Sequence, residues 1–291
     1  MFEGVLTALV TPFDQGEVDE TALRALVRDQ IEAGIDGLVP CGSTGESATL
    51  SHDEHRTVVE IVVDAAAGQV PVIAGTGSNN TREAIDLTQH AKEAGADGAL
   101  LISPYYNKPT QAGIIAHYRL IAKETAFPLV VYNIPGRTAS NLTPATQQAL
   151  AGIEHIVGVK EASGDLTQMS EVVRLCPPEF CVLSGDDAMT LPLLAVGGNG
   201  VISTSSNIVP RQMRALFEAF QRGDMMAAKE QHGALLTTFD ALFCETNPIP
   251  VKAALAMLGR IREEIRLPMT PITPEGEARV RAALRELGLL S

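Results

Sequence analysis

The stretch "HIVGVKEASGD", from His155 to Asp165, places one amine inside an apolar run that has the length and composition of a buried strand. An unpaired ammonium group there would lose solvation free energy worth several kcal/mol. Burial lowers the pKa of an amine, and a pKa about three units below the usual value leaves about a quarter of the amines neutral at pH 7. A neutral amine attacks carbonyl carbon to form an imine, so Lys160 is the first candidate for catalysis.

A simpler explanation pairs Lys160 with a carboxylate such as Glu161, although neighbouring strand residues point to opposite faces. The other lysines fall in predicted helices or loops, where an ammonium group can reach water and needs no special role. They are Lys92, Lys108, Lys123, Lys229 and Lys252.

An imine-forming enzyme also needs a proton carrier and an anchor for its substrate. Tyr132 ends a predicted strand and could move a proton, unless its ring only packs in the core. "GSTGE", from Gly42 to Glu46, lacks the lysine of a nucleotide-binding loop. Its N–H groups, with Ser43 and Thr44, could bind a small carboxylate, although tight turns before helices use the same residues. Arg137 could bind a second carboxylate, with an ordinary surface arginine as the alternative.

The stretch "SHDEH" places His52 and His55 three residues apart, which raises the question of a metal site. A third ligand at a suitable spacing is missing, so we expect no metal and no other cofactor. A solvated helix start with Ser51 as the N-cap and Glu54 three residues later explains the stretch.

Eight apolar runs, each followed by a segment of helical periodicity, predict eight parallel strands. Gly34 and Gly95 close similar helix ends two units of about 30 residues apart, and this even repetition favours a (β/α)8 TIM barrel over an open sheet. We expect a catalytic barrel at 1–222 and a helical layer at 223–291. The runs are Val5 to Pro12, Gly37 to Cys41, Val70 to Gly75, Ala99 to Ser103, Pro128 to Ile134, Ile156 to Glu161, Cys181 to Gly185 and Val201 to Ser203.

The net charge, the N-terminal segment and the cysteines limit the classes of partner and the cellular location that we expect. The formal net charge of −13 over 291 residues disfavours nucleic acid and anionic membranes as partners. The N-terminal "MFEGVLTALVTPFDQG" has neither the basic leader nor the uninterrupted apolar run of a targeting segment. The cysteines lack a CxxC pair and are predicted to be reduced thiols, and a cytoplasmic location is expected; they are Cys41, Cys176, Cys181 and Cys244.

The segments "GSTGES", "SPYYNKP", "YNIPGRT", "GVKEASGD", "LSGDD" and "NPIPVK" closely resemble the pyruvate-dependent class I aldolases, and among them the dihydrodipicolinate synthase family. The resemblance runs from "GVLTALVTPF" to "RLPMTPIT", in the family's order and spacing. It implies condensation of pyruvate with L-aspartate 4-semialdehyde to 4-hydroxy-tetrahydrodipicolinate, the first committed step of lysine and diaminopimelate biosynthesis. It also implies a homotetramer built from two tight dimers.

The resemblance assigns the catalytic roles. Lys160 would form the imine, and the resulting enamine would attack the aldehyde. Tyr132 would be the acid/base group, linked through the hydroxyl of Ser43 to Tyr106, which in this family reaches in from a neighbouring subunit. Among the substrate-binding positions, Thr44 would bind the pyruvate carboxylate, Arg137 would bind the second acid, the Ile202 carbonyl would lie beside the amine, and Gly185 completes the set.

One position departs from the family's usual "GTTGE", because Ser43 stands where threonine is expected. Serine keeps the hydroxyl but loses the methyl group that restricts its rotamer. "GSTGE" is also common among sialic-acid lyases, so an N-acetylneuraminate-lyase-like or sugar-acid aldolase is the alternative. Arg137 favours the synthase, since similar lyases generally lack it. A catalytically silent ligand sensor is a third hypothesis, and the full set of lysine, tyrosine and hydroxyls disfavours it.

The resemblance further implies a feedback site for free L-lysine at the interface of the tight dimer. The residue types match those of lysine-sensitive members. The matching positions are Ser47, Ala48, His52, His55, Asn79, Glu83 and Tyr105.

Overall fold

The computed structural model describes residues 2–290, so that Met1 and Ser291 lie outside the description. Within this range, eight strands of one sheet alternate along the chain with helices. The strands are β1 (Gly4–Ala8), β2 (Gly37–Val39), β3 (Ile73–Gly75), β4 (Gly98–Ile102), β5 (Leu129–Asn133), β6 (Ile156–Glu161), β7 (Cys181–Ser184) and β8 (Gly200–Ser203).

The helices of six or more residues follow the strands and then continue beyond them. They are α1 (Glu20–Glu32), α2 (His52–Ala66), α3 (Thr81–Glu93), α4 (Gln111–Thr125), α5 (Pro144–Ala151), α6 (Leu166–Leu175), α7 (Thr190–Ala195), α8 (Pro210–Gln221), α9 (Met225–Leu242), α10 (Ile249–Met257) and α11 (Pro274–Glu286). A single helical turn, Pro135–Thr138, follows β5, and a small hairpin pairs Phe13–Asp14 with Glu17–Val18.

The sheet is a closed barrel of parallel strands. Its strand order is β2-β1-β8-β7-β6-β5-β4-β3, and the two ends meet where Leu38 bridges Val72 in parallel. The N–H of Leu38 donates to the carbonyl oxygen of Pro71 at 2.9 Å across the same junction. The predicted (β/α)8 barrel is therefore confirmed.

The strand bounds differ from the predicted ones mainly at β1 and β3. Strand β1 ends at Ala8, four residues before the predicted end, because the chain beyond it supports a neighbouring loop: the Thr11 hydroxyl donates to the Gly45 carbonyl at 2.7 Å. Strand β3 begins at Ile73, three residues late, since Pro71 has no N–H to give to the ladder. Strand β6 has the predicted bounds.

Two apolar layers surround the strands, as the alternation of side chains requires. One fills the barrel and includes Leu6, Val39, Ile73 and Leu183. The other lies between the strands and the helices and includes Val159. Because Lys160 follows Val159, its side chain belongs to the inward-facing set.

The helices begin at the residue types that satisfy free N–H groups. At α2 the Ser51 hydroxyl accepts from the Glu54 N–H, and the Glu54 carboxylate accepts from the Ser51 N–H, which confirms the predicted helix start. Helix α8 ends at Gln221, and α9 packs on α8 while α10 and α11 pack on each other. None of the helices between residues 2 and 290 is both long and apolar enough to cross a membrane.

A methyl group at Gly200 tests the junction of β1 and β8. A Cβ atom there would lie 2.0 Å from the Gly4 carbonyl oxygen, a backbone atom that cannot rotate away. We expect Gly200→Ala to lower the free energy of unfolding by about 3 kcal/mol, measured by urea denaturation. Gly233→Ala in α9 is the control, because no atom lies within 4 Å of its added methyl, and it should gain about 0.5 to 1 kcal/mol. Equal stability of Gly200→Ala and the unmodified chain would contradict this packing.

Candidate active site

A cavity opens at the carboxyl ends of the barrel strands, where this fold places its chemistry. It contains one amine, Lys160, surrounded by hydroxyl groups and one guanidinium group. The lining residues are Ala8, Val39, Gly42, Ser43, Thr44, Leu100, Tyr132, Ile134, Arg137, Lys160, Gly185, Thr204, Phe243 and Asn247. A larger cavity of about 450 Å³ lies beside Glu245 and Arg279, but no lysine or tyrosine lines it.

Lys160 is buried, with 6% of its surface exposed. It pairs in register with Tyr132 on β5 and Leu183 on β7, and its Nζ lies 4.4 Å from the centre of the Tyr132 ring. Burial lowers the pKa of Lys160 to about 8; the carboxylate of Asp187 opposes this shift, and Arg137 adds to it. About one amine in ten is then neutral at pH 7, fewer than the sequence argument assumed.

Glu161 does not pair with Lys160, because it points to the opposite face of β6. Its carboxylate is fully buried and accepts hydrogen bonds from Gln147 Nε2 at 2.6 Å, the Ser163 N–H at 2.8 Å and Asn133 Nδ2 at 3.0 Å. Among residues 2–290, no carboxylate lies within ion-pair distance of Lys160. The simpler explanation of this lysine is therefore wrong.

Tyr132 lies next to the amine and is 6% exposed. Burial raises the pKa of Tyr132 to about 12, while Arg137 and a hydrogen bond with Ser43 lower it. The phenol therefore stays protonated at neutral pH and is linked to the hydroxyl of Ser43. Tyr106 lies elsewhere on this chain: it is 88% exposed, with a backbone φ of 71°.

Two residues at the mouth were missed in the sequence. The Thr44 hydroxyl lies 3.3 Å from that of Thr204 and accepts from Asn247 Nδ2 at 2.9 Å. The Asn247 carbonyl in turn accepts from the Arg137 guanidinium at 2.8 Å. Asn247 is the first residue of "NPIPVK", one of the segments that carry the family resemblance, so the sequence contains a signal for it. The structure thus brings together Thr44 and Arg137 through a residue from the C-terminal segment.

A third missed residue, Asp187, is a buried carboxylate behind the amine. Its Oδ2 accepts from the N–H and hydroxyl of Ser205 at 2.8 and 2.7 Å, and its Oδ1 has no hydrogen-bond partner among residues 2–290. Burial raises the pKa of Asp187. The motif "LSGDD" contains this residue, but nothing in the sequence distinguished it from Asp186.

Gly185 lines the cavity, whereas the predicted site residue Ile202 is not among the lining residues. A Cβ atom at Gly185 would lie 2.7 Å from the Cβ of Ala162 and 2.9 Å from the Cε of Lys160, so only glycine leaves the amine its present position. Ile202 is 1% exposed and packs in the apolar cluster that includes Tyr132.

The residues expected at the lysine site lie at the start of α2 and nearby. His52 Nε2 lies 2.7 Å from the Glu83 carboxylate, and Asn79 Nδ2 donates to the Tyr105 carbonyl at 3.1 Å. Ser47 and Ala48 form the turn before α2. His55 points inward, where its Nε2 lies 2.7 Å from the Gly75 carbonyl oxygen and burial lowers the pKa of the ring.

Histidine, cysteine and carboxylate side chains do not gather in groups of three suited to a metal ion within residues 2–290.

The expectation that Lys252 reaches water is wrong. It is 2% exposed, and its Nζ pairs with the Glu46 carboxylate. Its sequence context predicts a helix that reaches water, whereas α10 is buried along most of its length, from Ile249 to Leu255.

Comparison with curated proteins gives relatives of nearly full length that carry the name 4-hydroxy-tetrahydrodipicolinate synthase. One from Nitratidesulfovibrio vulgaris (strain DSM 19637 / Miyazaki F) is 57% identical over 290 residues, covering 99% of each chain. Another from Syntrophus aciditrophicus is 54% identical over 290 residues, covering 100% of each chain.

Solved structures of dihydrodipicolinate synthases match the fold over nearly the whole chain at lower sequence identity. That from Aquifex aeolicus has a TM-score of 0.98 at 47% identity and 99% coverage of each chain. The chloride-inhibited enzyme from Acinetobacter baumannii complexed with pyruvate has a TM-score of 0.98 at 42% identity and full coverage of each chain. The enzyme from Cyanidioschyzon merolae with lysine bound has a TM-score of 0.97 at 44% identity and 99% coverage of each chain.

The sequence model that describes the dihydrodipicolinate synthetase family matches residues 1–287, nearly the whole chain. With the barrel, the buried amine and these relatives in agreement, the chain belongs to the dihydrodipicolinate synthetase family.

Proposed function

We propose that this chain condenses pyruvate with L-aspartate 4-semialdehyde to give 4-hydroxy-tetrahydrodipicolinate, the first committed step of diaminopimelate and lysine biosynthesis. The observation that carries the proposal is the amine of Lys160, which is buried with a lowered pKa among hydroxyl groups at the mouth of the barrel. Such an amine needs no metal to activate a ketone, because the protonated imine itself withdraws electrons.

The chemistry begins when neutral Lys160 attacks the ketone carbon of pyruvate. Loss of water gives a protonated imine, and loss of a methyl proton gives an enamine. The enamine carbon then attacks the aldehyde carbon of the semialdehyde. The amino group of the semialdehyde finally attacks the imine carbon and displaces Lys160, which closes the ring. One water leaves for each pair of substrates.

Tyr132 is placed to move protons in these steps. As a phenol with a raised pKa it donates a proton to the hydroxyl that leaves as water, and the phenolate so formed takes up a proton in a later step; Ser43 links it to the next hydroxyl. We propose that Tyr106 of a neighbouring subunit completes this relay, because its side chain is 88% exposed on this chain. This role requires an oligomer, for which we propose a homotetramer of tight dimers.

Two groups at the mouth could each bind the carboxylate of one substrate. The hydroxyl of Thr44, beside the N–H groups of its loop, would bind the pyruvate carboxylate, and Gly185 with the Ile202 carbonyl would border the imine. Arg137 at the rim would bind the carboxylate of the semialdehyde. The same residue disfavours the alternative of an N-acetylneuraminate-lyase-like or sugar-acid aldolase, because those substrates present hydroxyl groups there.

A site for L-lysine is proposed around His52 and Glu83. The Glu83 carboxylate would bind the ammonium group of lysine, and the Tyr105 backbone and Asn79 would border it. The lysine-bound relative supports this site.

We also propose a cytoplasmic location, since the four free cysteines fit a reducing compartment. The division into a barrel at 1–222 and a helical layer at 223–291 stays a proposal.

Turnover and trapping test the reaction. The chain should consume pyruvate and L-aspartate 4-semialdehyde and should leave a panel of sugar acids unchanged. Borohydride with pyruvate should fix a three-carbon unit on Lys160, located by peptide mass mapping.

Lys160→Arg should lose activity and trapping, because a guanidinium stays protonated. Tyr132→Phe should fold normally and turn over about a hundredfold more slowly. Faster turnover of a sugar acid, or trapping elsewhere, would overturn the proposal.

The pH dependence of trapping tests the state of the amine. Since only the neutral form attacks, the rate of imine formation should rise about tenfold per pH unit below pH 8 and level off above it. Asp187→Asn should move the midpoint to lower pH, because it removes the carboxylate that raises the pKa of Lys160. A midpoint near the ordinary lysine pKa of about 10.4 would contradict the burial argument.

Calorimetry tests the lysine site. Titration of L-lysine with pyruvate present should give binding heat, and Glu83→Gln should weaken binding about tenfold or more, since a charged hydrogen bond is lost. Glu93→Gln at the other end of α3 is the control and should bind like the unmodified chain. Absence of heat from the unmodified chain would remove the site.

A further inference from the structure

The buried ion pair between Lys252 and Glu46 lies outside the cavity of Lys160. The side chains are 3% and 0% exposed, and neither lines the cavity. The Lys252 Nζ also donates to the Thr11 carbonyl at 3.0 Å and lies 4.3 Å from the centre of the Phe13 ring. The pair therefore joins α10 to the segments that follow β1 and β2.

Stability alone does not explain this pair. Taking two charges out of water costs about as much free energy as their attraction returns, and apolar replacements of similar volume are often neutral. What a buried pair does supply is a fixed geometry, because only one arrangement satisfies both charges. The question is which part of the molecule needs that geometry.

Glu46 ends the segment from Gly42 to Glu46 that carries Ser43 and Thr44. Its backbone is in the left-handed region, with φ of 54°, which is unfavourable for a residue with a side chain. The second carboxylate oxygen of Glu46 accepts from the Arg266 N–H at 3.1 Å, so both oxygens are held. The carboxylate thus keeps the end of the segment in a conformation that it would otherwise leave.

The same C-terminal segment holds the loop at a second point. Asn247, five residues before Lys252, donates from Nδ2 to the Thr44 hydroxyl at 2.9 Å. The loop also contacts the segment after β1, where the Thr11 hydroxyl donates to the Gly45 carbonyl at 2.7 Å. The backbone carbonyl of Thr11 in turn accepts a hydrogen bond from Lys252. Lys252 therefore supports the loop directly through Glu46 and indirectly through Thr11.

We propose that Lys252 and Glu46 are positioning residues that hold the Gly42 to Glu46 loop, so that Thr44 can bind the carboxylate of the keto acid beside Lys160. The inference rests on the proposed function, because it assigns the pair to the step that binds pyruvate. The second anchor, Arg137, contacts Asn247 instead of this loop, so recognition of the second substrate depends less on the pair.

A double variant separates positioning from stability. Lys252→Met or Glu46→Met alone leaves a buried charge without its partner and should lower the melting temperature. The double variant removes both charges and should melt within a few degrees of the unmodified chain. Its KM for pyruvate should nevertheless rise about tenfold or more, because the loop loses its fixed geometry. Its KM for L-aspartate 4-semialdehyde should change less than about twofold, since the Arg137 guanidinium donates to the Asn247 backbone carbonyl and contacts neither member of the pair.

The matched control is the surface ion pair between Arg260 and Asp29, which also joins the C-terminal segment to the barrel helices. Arg260→Met with Asp29→Asn should leave both KM values unchanged. Half-saturation of borohydride trapping by pyruvate measures the same loop without the second substrate, so a failure of the condensation itself would be recognised separately.

Two results would overturn the proposal. One is a folded double variant with an unchanged half-saturation for pyruvate, which would show that the loop keeps its geometry without the pair. If the double variant does not fold, Glu46→Gln provides the measurement, because the amide has one acceptor oxygen and must lose the hydrogen bond from either Lys252 or the Arg266 N–H. An unchanged half-saturation for pyruvate in that folded variant would be the second overturning result.

Discussion

Desolvation of one amine is the constraint on which the rest of the site depends. A pKa of about 8 for Lys160, against an ordinary value of about 10.4, corresponds to about 3 kcal/mol taken from the charged form. This is a large part of the 5 to 15 kcal/mol by which proteins of this kind are stable. The closed barrel can bear the cost because apolar side chains fill its interior and its helices cover the outer faces of the strands.

Strain at the mouth is a second cost that the fold absorbs. Cys41, Glu46 and Tyr106 have positive φ angles without being glycine, and each lies in a loop that follows β2 or β4. Such residues cost about 1 to 3 kcal/mol each and persist where their surroundings fix them. Around Glu46 the surroundings are the buried ion pair and the Arg266 N–H. The loops that carry the hydroxyl groups are therefore held from outside the cavity.

The sequence was most informative where a local pattern determines the structure. The apolar run around Lys160 predicted the bounds of β6, and the strand-end rule placed Tyr132, Thr44 and Arg137 at one mouth. It failed for Asn247 and Lys252, whose positions depend on how the C-terminal helices pack on the barrel. A single sequence carries no signal for that packing: Lys252 occurs in an ordinary helical pattern, and only the tertiary structure shows that α10 is buried on nearly all sides.

Lys160 and Lys252 show why burial alone does not identify a nucleophile. Both are nearly inaccessible to water, and burial lowers the pKa of each. Lys252 has a carboxylate in direct contact, which favours the ammonium form and uses its protons in fixed hydrogen bonds. Lys160 has an aromatic ring beside it and the carboxylate of Asp187 beyond ion-pair contact, so that a useful fraction is neutral and its lone pair is free. The same chain thus contains a lysine that serves as a structural cation and one that serves as a reactive amine, according to whether a carboxylate contacts the side chain.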